Sequence, residues 1–139
     1  MRCQGYDEGN AAVTKRDALF QDFVRSLPCF VCYAEFYAWV LAQPQDVQAN
    51  LVEMVELLEQ SAGTIQKSPT EFAHLGLSTS RRGLSQKYGN REGAPLCAEH
   101  HRGASSHHSG TATFWQRVPL VDRDALILTL NRVYDSLNY

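Results

Sequence analysis

Two short patterns carry residue types that bind metal. Cys29-Phe-Val-Cys32 is a C-x2-C, and Cys97-Ala-Glu-His100 is a C-x2-H. Each pair can present two borderline-soft ligands from one tight turn. Together they make a Cys3His set for one tetrahedral zinc. A proline lies shortly before each pair, Pro28 before Cys29 and Pro95 before Cys97. Cys3 is left over and is assigned nothing. A closed set of four protein ligands is structural, with no position open to substrate. The competing reading is of cysteines that simply fill core space.

Histidines crowd around the second pair. Four of the chain's five fall in "APLCAEHHRGASSHHSG", residues 94 to 110. With His100 given to zinc, His101, His107 and His108 remain. These could hold a second, open divalent ion, the kind that does chemistry. The fifth, His74, lies in "TEFAHLGL", just ahead of a Gly/Ser-rich basic loop. It is a candidate general base beside that ion, or a partly buried histidine on a strand face. Between 81 and 91, "RRGLSQKYGNR" carries Arg81, Arg82, Lys87 and Arg91 with no acid. That run is either a strip that contacts phosphates or a solvated loop.

These residues need elements to hold them. From Lys15 to Leu27, the residues Leu19, Phe20, Phe23, Val24 and Leu27 fall on one face of a helix, which Pro28 ends. "YAEFYAWVLAQ" predicts a second helix stopping near Pro44. Asp46 is a plausible N-cap for a third, in which Val47, Leu51, Val55 and Leu58 share a face opposite an acidic one. Residues from about 33 to 60 then read as a helical hairpin. From Gly63 to Pro95 helical periodicity disappears, and short strands are expected around "EFAHLGL" and "GAPLC". "VDRDALILTLNRVYDSL" predicts a closing helix, with Asp122 as N-cap and Leu126, Leu130, Val133 and Leu137 on one face. The class is α+β.

At 139 residues the chain suits one domain spanning 1–139. It is 44% hydrophobic and 20% charged, an ordinary globular balance that argues against disorder. No apolar run approaches the roughly 20 residues that span a bilayer. "MRCQGYDEGNAAVTKRD" lacks the apolar core of a signal peptide. The expected location is cytoplasmic, where cysteines serve as thiols or metal ligands rather than disulfides. A net charge of −2 argues against a chain coated in nucleic acid, so any phosphate contact would be local.

The stretch "AHLGLSTSRRGLSQKYGNREGAPLCAEHHRG" resembles the core of HNH nucleases, in particular the small HNH-type proteins of phages and prophages. "RDALFQDFVRSLPCFVC" is similar to the family's opening, a helix leading into "LPC-x2-C". "SHHSGTATFWQ" and "DRDALILTLNRVY" are similar to its "H-x-x-G…FW" element and closing helix. The resemblance covers most of residues 16 to 134, and the combination is far more specific than a single knuckle.

The resemblance implies a ββα-metal (HNH) core with zinc knuckles, flanked by N- and C-terminal helices and carrying the 33–60 hairpin as an insertion. It implies a metal-dependent endonuclease acting on DNA. His74 is then the general base, and His101, His107 and His108 are ligands or neighbours of a catalytic Mg2+, Mn2+ or Zn2+. Cys29, Cys32, Cys97 and His100 hold a structural zinc. Arg81, Arg82, Lys87 and Arg91 track the DNA backbone. A double-strand cut would suggest a homodimer, and the hairpin offers a surface for a protein partner. No membrane contact is expected.

The chain departs from the family pattern in three places. Forty-one residues separate Cys32 from His74, where the family uses about ten. Ala73 stands where many members have a metal-binding Asp or His. The central Asn has no clear counterpart, Asn90 and Glu92 lying nearest. The alternative is a non-catalytic, zinc-stabilised module binding nucleic acid or protein. A third reading is a helical interaction protein whose histidines are incidental.

Overall fold

The computed structural model describes residues 15–63, 65–66, 68–77, 91–102 and 120–137. Among them are six helices and two strands in the order α1 (Lys15–Arg25), α2 (Ala34–Leu41), α3 (Gln45–Gln48), α4 (Leu51–Ala62), β1 (Thr70–His74), β2 (Gly93–Cys97), α5 (Ala98–Arg102) and α6 (Arg123–Leu137). The expected α+β class therefore stands.

The core is one hydrophobic cluster drawn from nearly every element. Phe20 and Val24 of α1 are fully buried, and Leu27 follows them inside. Leu19, expected on the same face, is instead half exposed, because the buried stripe is centred on Phe20 and Val24. The Phe20 ring packs edge-on against Phe72 of β1 and Tyr134 of α6, with centroids 6.0 and 5.5 Å apart. That geometry suits the quadrupoles of aromatic rings. α6 begins as expected: the Asp122 carboxylate accepts from the Ala125 amide at 3.0 Å. Leu126, Ile127, Leu130, Val133 and Tyr134 form its buried face, while Leu137 is half exposed.

The hairpin differs from expectation. Instead of one helix capped by Asp46, the chain forms the short α3, a break at Ala49 and Asn50, and then α4. Pro44, extended at φ −61° and ψ 159°, takes the N-cap position, and Asp46 lies exposed in the first turn. Gln48 supplies the reason for the break. Its buried side chain donates to the carbonyls of Val40, Leu41 and Gln43 at 3.0–3.3 Å. It adds a donor to carbonyls at and just beyond the end of α2 and so holds α3 there. In α4, Leu51 and Val55 face inward, while Glu53, Glu56 and Glu59 lie outside as the pattern implied. Gly63 ends α4 at φ 71°, a left-handed conformation that glycine adopts without a Cβ penalty.

β1 and β2 pair antiparallel, with Thr70 opposite Cys97 and His74 opposite Gly93. A side chain at Gly93 would collide with the Ala73 carbonyl and the Phe72 ring, so the close approach of the strands requires glycine there. Pro95 sits in β2 without an amide to donate, which a two-stranded sheet tolerates. Its carbonyl accepts from the Phe30 amide at 3.0 Å and so ties the first cysteine turn to the strand. β2 runs directly into α5.

Candidate metal centre

Cys29 and Cys32 lie on the turn between α1 and α2, Cys97 ends β2, and His100 stands on α5. Their ligand atoms all lie within 4.8 Å of one another. The His100 Nδ1 is 3.6 Å from Cys29 Sγ, 3.6 Å from Cys32 Sγ and 3.2 Å from Cys97 Sγ. Cys32 Sγ is 3.9 Å from Cys97 Sγ. A tetrahedral zinc with ordinary bond lengths needs S···S edges of about 3.8 Å and S···N edges of about 3.6 Å. The four groups therefore fit one ion such as zinc, and the sequence-derived ligand set comes together as one cluster.

The electrostatics fit a cation as well. Burial pushes the Cys29 thiol up. Burial, followed by the neighbouring Cys29 and Cys97 sulfurs, pushes Cys32 up as well. Cys97 moves down: burial opposes the shift, but hydrogen bonds from the His100 backbone, the Ser68 side chain and the two other sulfurs outweigh it. One thiolate thus has support, and a second or third is disfavoured by burial and mutual repulsion. A divalent ion among them reverses that balance.

The elements around the cluster hold it in shape. Gln66 Oε1 accepts from the Cys29 amide at 2.9 Å, while its Nε2 donates to the Ser68 carbonyl and the Thr70 hydroxyl at 2.8 and 3.0 Å. Tyr37, fully buried, donates to the Pro28 carbonyl at 2.6 Å. Neither Gln66 nor Tyr37 stood out in the sequence: the Gln66 partner lies 37 residues away, and nothing in the local pattern marks Tyr37 for the Pro28 carbonyl.

The other expected site residues are distributed as follows. His74 is exposed at the end of β1, its ring edge-on to Phe72 at 4.8 Å. Just beyond it, the Leu75 and Gly76 amides donate to the Glu92 carbonyl, and the Leu77 amide donates to Glu92 Oε1 at 3.1 Å. His101 lies on α5 with Nδ1 2.8 Å from Glu71 Oε1 of β1. Arg102 also donates to both oxygens of Glu71. Hydrogen bonds from Arg102 and then His101 hold the Glu71 carboxyl down to about 2. Glu71 and Arg102 were not among the expected residues. The one available signal was a carboxylate three positions ahead of His74 on a strand.

Arg91, expected in the cationic strip, has intramolecular partners. Its guanidinium bridges Asp135 of α6 at 2.9 Å and lies over the Phe20 and Tyr134 rings at 4.7 and 5.3 Å. His107, His108, Arg81, Arg82 and Lys87 lie outside the described residues. Among the described residues, no helix is long and apolar enough to cross a membrane. None of the known families, curated proteins or solved structures compared with the chain matches it.

Proposed function

We propose that the chain is a metal-dependent endonuclease of the HNH type, hydrolysing DNA phosphodiester bonds. One observation carries this reading. β1 ends on the exposed His74, β2 pairs with it and runs unbroken into α5, and the Glu71–His101 contact joins α5 back to β1. A candidate base and a candidate ligand thus hang from one strand–strand–helix unit, with the Cys3His cluster fastening its helix end.

In this mechanism His74 takes the proton from a water that attacks phosphorus. His101, with His107 and His108, would hold a divalent ion, which when bound supplies Lewis-acid stabilisation of the phosphate charge and the leaving oxygen. Arg81, Arg82 and Lys87 contact backbone phosphates near the reacting bond. Arg91 acts within the fold, and the zinc cluster takes no part in the chemistry.

The test is relaxation of supercoiled plasmid by purified protein with Mg2+, Mn2+ or EDTA, alongside His74→Ala. The wild type is expected to nick only with added metal, and the variant is expected to lose at least about 100-fold, the scale of a missing general base. A zinc-containing wild type that nicks with neither ion would sink the nuclease and leave a zinc-stabilised binding module.

A further inference from the structure

The bond between His101 and Glu71 has a chemistry that a simple clamp would not need. Arg102 alone already ties α5 to β1, donating to Glu71 through both Nε and Nη2. The second partner, His101 Nδ1, lies 2.8 Å from Glu71 Oε1. Its side chain is 14% exposed, whereas that of Arg102 is 61% exposed. The histidine contact is thus the sheltered one.

An ionised carboxylate only accepts hydrogen bonds. Arg102, doubly bonded to Glu71, keeps the carboxylate ionised and discourages proton transfer from the ring. The proton of the contact therefore sits on His101 Nδ1. In the neutral ring the lone pair is then on Nε2. A carboxylate on one ring nitrogen fixes tautomer and orientation and makes the other nitrogen a better ligand. His100, one residue earlier, turns its Nδ1 to three sulfurs. Successive residues on a helix point about 100° apart. The two adjacent histidines therefore address different places.

We propose that Glu71 is a positioning residue, which holds His101 in the Nδ1–H tautomer and so presents Nε2 as a ligand to a divalent cation. The proposal rests on the nuclease reading for the ion itself. Glu71 touches neither ion nor substrate and acts through the ring.

Zinc-loaded, 15N-labelled full-length protein tests it, with Mn2+ as the probe. Long-range proton–nitrogen correlations read the His101 tautomer, and paramagnetic broadening of the His101 signals gives the Mn2+ affinity. The wild type should show Nδ1 protonated and bind Mn2+, and His101→Ala should lose that binding. Glu71→Ala should release the tautomer and weaken Mn2+ by roughly 10- to 100-fold at unchanged zinc content. Glu71→Gln keeps an acceptor oxygen, so it should keep the tautomer and lose less. Should the alanine variant fail to fold, Glu71→Thr, which suits a strand and is too short to reach the ring, takes its place. Equal Mn2+ affinity in the wild type and a folded, zinc-replete Glu71 variant lacking the tautomer would overturn the positioning role alone. A wild type whose His101 signals ignore Mn2+ would remove the ligand reading and this inference with it.

Discussion

The Tyr37 phenol sits one helix away from the sulfur cluster yet reaches the residue just before its first ligand, Pro28. Both partners are buried, so the bond has no water to replace it. Tyr37→Phe should cost about 1–3 kcal/mol, read as a lower urea midpoint with an unchanged slope. Cys29, Cys32, Cys97 and His100 were legible beforehand because a ligand's type belongs to the residue and its pair spacing is local. Glu71, Gln66 and the inward turn of Arg91 were not, because their partners lie 30, 37 and 44 residues away. No short window of sequence contains both ends of such a contact.

Between elements, the clearest coupling is the one joining β1 to α5 through Glu71. Arg102 and His101 depress its folded-state pKa from the usual 4.5 to about 2. A lowered carboxylate contributes stability that is fully present above its unfolded value and is lost as pH falls through the folded one. Urea midpoints of the wild type and Glu71→Gln should therefore differ by a constant amount above about pH 5.5. The gap should close as pH falls from about 4.5 toward 2. A gap that widens on acidification would contradict the assignment. The strands around 70–74 and 93–97 and the faces of α4 and α6 were readable from periodicity and turn residues. The break between α3 and α4 was not, since it depends on Gln48 folding back onto the carbonyls of α2.

For the whole molecule, an ion held by the Cys3His cluster would be a cross-link. It would join Cys32 to Cys97 across 65 residues of chain, so the 33–60 helices would lie inside the loop it closes. Closure entropy grows only logarithmically with length, which lets so long an insertion coexist with assembly. A covalent link closing a loop of this size is worth about 4 kcal/mol. Chelation should accordingly lower the thermal midpoint by about 10–15 °C, with full recovery on adding zinc back. A melting curve indifferent to chelator would exclude an ion from the cluster.

During synthesis on the ribosome, this arrangement sets an order of events. Cys29 and Cys32 emerge long before Cys97 and His100, so the growing chain carries an open pair of thiols while the 64 residues between Cys32 and Cys97 are added. Phe20 likewise waits for Phe72 and then for Tyr134 to cover it. The Cys3His cluster cannot close until His100 has been made, and the apolar interior cannot close until Tyr134 has followed it. A polypeptide released early, before α6, would leave the ribosome with Phe20 partly uncovered and would be a natural substrate for chaperones and proteases.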